Sequence, residues 1–241
     1  MLLLSKLIIT NYNYRDYFVK GFDFEKVLKF LTIADNKDKL LKVLQYIVKL
    51  IIVSKGAALL KPGNSSAVDL KSFASTLSLA RKLGRLGNWL PGVQDLYDLS
   101  NKPNLSDPDY FLKVISASAS VGNDLLDDWI CLQKGRLLQK ESFLDNLDAW
   151  STRLWFISVS IDLSFTLRKL NALKSSGSKG EPEEYKKKEM DLVLAASKQF
   201  CDWTFCIWEL ADLGEYNEHV PVLAGLSAAV IGAIRGWRKI K

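Results

Sequence analysis

Few side chains in this sequence could carry out chemistry on a substrate. The chain of 241 residues holds a single histidine, His219. A Ser-His-Asp or Cys-His nucleophile would need that one residue as its base, and a histidine-ligated metal site would need more than it can supply. His219 lies at the edge of an apolar run, close to Pro221, a place that suits the start of a hydrophobic segment. Cys131, Cys201 and Cys206 form no CxxC pair and are too few for a disulfide framework, which points to a reducing compartment. The expectation is a protein that is not an enzyme and that needs no metal and no cofactor.

The chemistry that remains is that of surfaces. The net charge is +6 and the pI about 9.1, a balance that suits an anionic partner, nucleic acid or anionic phospholipid. Nucleic acid is the poorer fit, because the basic residues are spread thinly and no reading motif is present. Lys71–Leu90 supplies the alternative. Drawn as a helix over Ser72–Leu90, it places Phe73, Leu77, Ala80, Leu83, Leu86 and Leu90 on one apolar stripe. Lys82 and Arg85 lie opposite, with Arg81 at the margin, and no acidic residue interrupts the segment. Trp89 near its end suits a headgroup boundary. The pattern is that of an interfacial helix, and the expected membrane-binding residues are Phe73, Leu77, Arg81, Lys82, Leu83, Arg85, Leu86, Trp89 and Leu90.

The elements that must position this segment are helical throughout. Apolar residues recur at three- and four-residue intervals and strand-like alternation is rare, so the fold class is all-α. Helical patterns cover Phe24–Leu31, Lys37–Lys55, Ser72–Leu90, Asp109–Leu138, Ser142–Leu173, Asp191–Leu213 and Val220–Trp237. Asp109–Leu138 and Ser142–Leu173 are expected to pack as a central long-helix hairpin across Gly135–Glu141. Lys61–Ser66 and Asn101–Asp109 carry turn chemistry. Residues 174–190 are almost free of apolar side chains and read as a flexible polar linker between a membrane-associated region, 23–173, and the C-terminal helices, 191–241.

Val220–Ile234 runs fifteen residues without a charge and then ends in Arg235, Arg238, Lys239 and Lys241. It is short for a membrane span, which takes about 17–25 residues, yet its basic end fits the cytoplasmic side. Gly225, Ala229, Gly232 and Gly236 recur at spacings that favour close helix–helix contact. The expected membrane segment is 220–237. Arg153 and Asp162 interrupt one other apolar run, and Lys198, Asp202 and Glu209 interrupt another.

Four stretches in order resemble the peroxin eleven family of peroxisomal membrane proteins, which elongate and divide peroxisomes. They are DNKDKLLKVLQYIVK at Asp35–Lys49, SLARKLGRLGNWL at Ser78–Leu90, NDLLDDWICLQKGRL at Asn123–Leu137 and VPVLAGLSAAVIGAIRGW at Val220–Trp237. The resemblance runs from about Phe24 to Trp237, and residues 1–22 fall outside it as an N-terminal extension. It implies a place in the peroxisomal (or glycosomal) membrane and remodelling by shallow insertion of the Ser72–Leu90 helix into the cytosolic leaflet. It also implies self-association into homo-oligomers and recruitment of fission machinery of the dynamin type. Gly84 and Gly87 weaken the helix, each costing up to about 1 kcal/mol in a helix interior, so it is expected to form on the membrane. A metabolite pore, lined by Arg153, Asp162 and Asp202, and a soluble helical adaptor are the alternatives.

Each large apolar side chain buried gives roughly 1.5–3 kcal/mol, against about 1 kcal/mol for each cation near an anionic surface. A Lys71–Leu90 peptide on anionic liposomes is therefore expected to lose more binding through Leu83→Asp than through Arg85→Ala. The opposite order in a flotation assay would show that charge, not the apolar stripe, drives binding.

Overall fold

A computed structural model describes residues 23–54, 69–101, 103–135, 137, 146–176, 182–213 and 217–240. Among these residues the chain is all-helical: α1 Phe24–Thr32, α2 Ala34–Val53, α3 Leu70–Leu83, α4 Trp89–Asn101, α5 Tyr110–Lys134, α6 Leu147–Ser176, α7 Pro182–Leu210 and α8 His219–Lys239. Local chemistry sets many of the ends. The Asp23 carboxylate accepts a hydrogen bond from the Lys26 amide at 2.9 Å and starts α1. Ile33 turns extended and separates α1 from α2. Asp69 accepts from the amides of Lys71 and Ser72 to cap α3.

Helices α5, α6, α7 and α8 pack in sequence order, each on its neighbour, and α2 lies against the far side of α8. Helix α3 then touches both α2 and α5, while α4 rests on α5. The α5–α6 hairpin forms as its periodicity implies. Residues 136 and 138–145 of its connection lie outside the described residues, as do residues 1–22. The polar stretch 174–190 differs from its reading as a linker. Helix α6 continues to Ser176 and α7 begins at Pro182, so only 177–181 lie between them. Proline favours the first helical position, and the Lys188–Glu184 pair at 2.8 Å supports the exposed turn that follows.

Phe30, Tyr46, Leu77 and Ile130 are buried, but much of the interior is built from smaller or polar side chains. Interior positions hold small residues, Ala119, Ala195, Ala196, Ala228 and Ala229, and polar ones, Asn36, Gln45, Ser116, Ser158 and Asp202. Large apolar residues stand outside: Phe111 is 65% exposed, Phe200 57%, Trp150 54% and Leu223 48%. Small residues permit close helix approach, and polar groups must find partners within the bundle, when hydrocarbon surrounds it. Exposed apolar surface on this scale marks a membrane or partner surface.

Helix α8 is the one helix among the described residues long and apolar enough to cross a membrane. Its 21 residues rise about 1.5 Å each, close to the ~30 Å hydrocarbon thickness. Its small residues meet specific neighbours. A Cβ on Gly225 would overlap the Tyr46 ring of α2, and one on Gly236 would overlap the Asn36 amide and crowd Phe30. Gly232 faces the stems of Lys39 and Lys198, and Ala229 is buried. Tyr46 in turn meets Phe205 of α7 edge-on at 6.3 Å, so one close contact locks three helices. Gly225→Leu is expected to cost about 1–3 kcal/mol by overpacking, seen as a lowered Tm in detergent and partly restored by Tyr46→Ala. An unchanged Tm would mean that α8 does not pack on α2.

Candidate membrane-active segment

Ser72–Leu90 does not form one helix. Helix α3 ends at Leu83, residues 84–88 form turns, and α4 starts at Trp89. The cause is local. Gly84 terminates α3, Gly87 adopts φ +81°, and Pro91 has no amide to continue a helix through the junction. The Gly87 N–H instead donates to Asp128 Oδ2 of α5 at 3.0 Å. The weakness expected of Gly84 and Gly87 thus appears as a break held in place by a carboxylate.

Arg81, Lys82 and Arg85, expected on the membrane-binding face, are turned toward acidic and polar side chains of the bundle. Arg81 Nε donates to Asp38 Oδ1 of α2 at 3.0 Å, and its Nη1 donates to Gln45 Oε1 at 2.7 Å. Lys82 Nζ reaches Asp127 Oδ1 of α5 at 2.5 Å, and Arg85 Nη2 reaches the other oxygen of Asp127 at 3.1 Å. Arg85 Nε stands 3.8 Å from Asp38 Oδ1, too far for a hydrogen bond, and is left buried without a partner among the described residues. Ser151 of α6 joins by donating to Asn123 Oδ1 at 2.8 Å.

The apolar residues divide. Leu77 is buried with Ala74 between α2 and α5, and Trp89 is half-buried. Phe73, Leu83, Leu86 and Leu90 are exposed, Leu90 by 57%. The exposed edge continues along α4 with Val93 and Tyr97. Of the residues read as membrane-binding, four therefore face outward, while Leu77, Arg81, Lys82 and Arg85 fasten the segment to the bundle. The fastening partners, Asp38, Gln45, Asp127 and Asp128, are absent from the sequence reading. Asp38, Asp127 and Asp128 are acidic and Gln45 is a neutral amide, and all four lie in the Asp35–Lys49 and Asn123–Leu137 stretches.

Arg153, Asp162 and Asp202 occupy three different environments. Asp202 is buried and accepts from Lys198 Nζ at 2.7 Å and Lys42 Nζ at 3.4 Å. Asp162 accepts from Ser116 Oγ at 2.7 Å. Arg153 is exposed, with its guanidinium 4.7 Å from the Trp150 ring.

A helical bundle with many small and polar residues inside, numerous large apolar residues exposed and a basic-ended apolar helix fits a membrane protein of the α-helical class. The chain matches the model of the family described as Peroxisomal biogenesis factor 11 (PEX11) over residues 24–237. It is 27% identical over 230 residues to "Peroxisomal membrane protein 11A" of Arabidopsis thaliana, covering 86% of this chain and 90% of that protein. It is 26% identical to "Peroxisomal membrane protein 11-3" of Oryza sativa subsp. japonica, covering 86% of each. "Peroxisomal membrane protein 11-4" of Oryza sativa subsp. indica is 26% identical, covering 90% of this chain and 98% of that one. No solved structure matches. The chain belongs to the PEX11 family and is a protein of the peroxisomal membrane.

Asp127→Ala would leave Lys82 and Arg85 without their main counter-charge. A fully buried pair broken this way costs about 3–5 kcal/mol. Here the side chains are 14% to 32% exposed, so about 1–3 kcal/mol is expected. Asp148→Ala, which removes the exposed partner of Lys134, should stay within about 0.5 kcal/mol. Equal losses by chemical denaturation of the two variants would show that the Asp127 cluster does not fasten the segment.

Proposed function

We propose that this protein remodels the peroxisomal membrane, elongating the organelle and promoting its division, without breaking covalent bonds. The working part is the outward edge formed by Leu83, Leu86 and Leu90 with Val93 and Tyr97. Seated shallowly in the cytosolic leaflet, these side chains expand one leaflet against the other. A wedge of that kind binds more tightly where the surface is already curved, so binding and bending are linked. The observation that carries this reading is the direction of the two faces. The apolar side chains are exposed while Arg81, Lys82 and Arg85 are ion-paired beneath them. A wedge braced against a bundle transmits its insertion to the whole protein, whereas a free amphipathic peptide could tilt or leave.

Self-association and recruitment of dynamin-type fission machinery complete the proposal. The exposed apolar residues of α5 and α6, among them Phe111, Ile115, Trp150 and Ile157, offer surface for a second copy within the bilayer. In cells deleted for the protein, wild type is expected to restore peroxisome number, and Leu86→Asp with Leu90→Asp is expected to leave few, enlarged organelles. Purified chain carrying the same pair of changes should still enter liposomes yet no longer draw tubules from them. Full tubulation by that variant would remove the edge from the mechanism.

A further inference from the structure

Where α8 ends, the molecule forms a cleft of about 480 Å³ lined by Lys26 of α1, Lys187 of α7, and Arg235, Arg238 and Lys239 of α8. The volume falls within the ~300–1,000 Å³ of small-ligand sites. Cations near a helix C-terminus have an ordinary explanation, since they complement the roughly −0.5 charge of the helix end. That does not suffice here. Among the described residues, the one carboxylate lining the cleft is Asp191, which lies 3.4 Å from Arg238. Five cations against Asp191 and the helix end leave a surplus of roughly +3.5. Among the described residues, no carboxylate lies within ion-pair distance of Lys26, Lys187, Arg235 or Lys239.

The walls are fixed by packing. Phe30, buried, meets Trp237 at 5.7 Å. Gly236 lets the α1–α2 corner close directly on α8. Lys26 Nζ stands 5.1 Å over the Trp237 ring, which holds that lysine at the rim. The cleft sits where an apolar helix gives way to its basic end, with an indole at the boundary, the level of phospholipid headgroups.

We infer that this cleft, formed by α1, α7 and the end of α8, binds a phosphomonoester group, most suitably one on an inositol headgroup. A phosphomonoester carries about −1.5 to −2 charge and three strong acceptor oxygens, which matches a convergent excess of lysines and arginines. A phosphodiester, with one charge, would leave most of the surplus unmet. The same chemistry is available from a membrane lipid or from a soluble phosphate, and the two sources are separable.

The test uses the full chain in phosphatidylcholine nanodiscs, titrated with a fluorescent phosphatidylinositol phosphate and, separately, with soluble inositol bisphosphate. Saturable binding is expected. Lys187→Gln with Lys239→Gln, both exposed and clear of the core, should weaken it about 25-fold, at roughly fivefold per cation. Arg235→Gln should weaken it about fivefold, whereas the equally charge-reducing Lys71→Gln with Lys169→Gln should leave it unchanged. Much tighter binding of the lipid than of the soluble compound identifies a headgroup site. Equal binding identifies a site for free phosphate, and either supports the inference. Absence of saturable binding, equal binding of phosphatidylserine, or equal losses in the cleft pair and the Lys71/Lys169 pair would overturn it. None of these readouts involves curvature, so the result is independent of whether the Leu83–Tyr97 edge acts as a wedge.

Discussion

Two carboxylates organise the part of the molecule that matters for function. Asp38 on α2 and Asp127 on α5 hold Arg81, Lys82 and Arg85 from opposite sides. Without them, Arg81, Lys82 and Arg85 would lose the carboxylates they pair with in partly buried positions, and a charge desolvated without a partner is strongly unfavourable. With them, α3 is bound to both ends of the packing order, because α2 contacts α8 and α5 begins the α5–α8 series. The basic residues therefore act as fasteners, and the outward face is left to Leu83, Leu86 and Leu90. The Asp128 carboxylate adds the last restraint, holding the Gly87 amide and with it the turn between α3 and α4.

The same logic extends through the bundle. Polar groups find partners on neighbouring helices: Asp202 with Lys42 (and with Lys198 one turn away on α7 itself), Asp162 with Ser116, and Trp203 Nε1 donating to Ser160 Oγ at 3.1 Å. Such groups align helices where the surroundings offer no contrast between inside and outside in hydrophobicity. Glycine and alanine then allow α8 to approach α2 and α7 closely, with Gly225 against Tyr46 as the tightest place. Cys206 and Ile130 are among the few fully buried side chains, so shape and polar pairing carry much of the specificity that a large apolar core would supply in water.

Much of the fold was legible in the sequence, and the reasons are local. Three- and four-residue spacing marks the long helices, and the α5–α6 hairpin follows from two such runs separated by a polar corner. Helix ends were less legible. Pro182 and the Glu184–Lys188 pair extend α7 into a stretch whose lack of apolar residues reads as linker. At the membrane-active segment, periodicity separates the apolar and basic faces but does not say which one meets the protein. That choice is made by Asp38 and Asp127, which lie 43 and 45 residues away from the cations they bind. The break at residues 84–88 has its signals in Gly84, Gly87 and Pro91, which an apolar stripe continuing to Leu90 overrides on a helical wheel.

The direction of the faces is best tested by where single side chains lie relative to lipid. In a chain with Cys131, Cys201 and Cys206 replaced by alanine, nitroxide labels would be placed at Leu86→Cys, Leu90→Cys and, as a reference, exposed Lys71→Cys. In reconstituted membranes, labels at 86 and 90 should relax with dissolved oxygen and be shielded from a water-soluble nickel chelate, while the label at 71 should show the reverse. Labels at 86 and 90 that meet the nickel chelate as freely as the one at 71 would place this edge in water and contradict its seating in the leaflet.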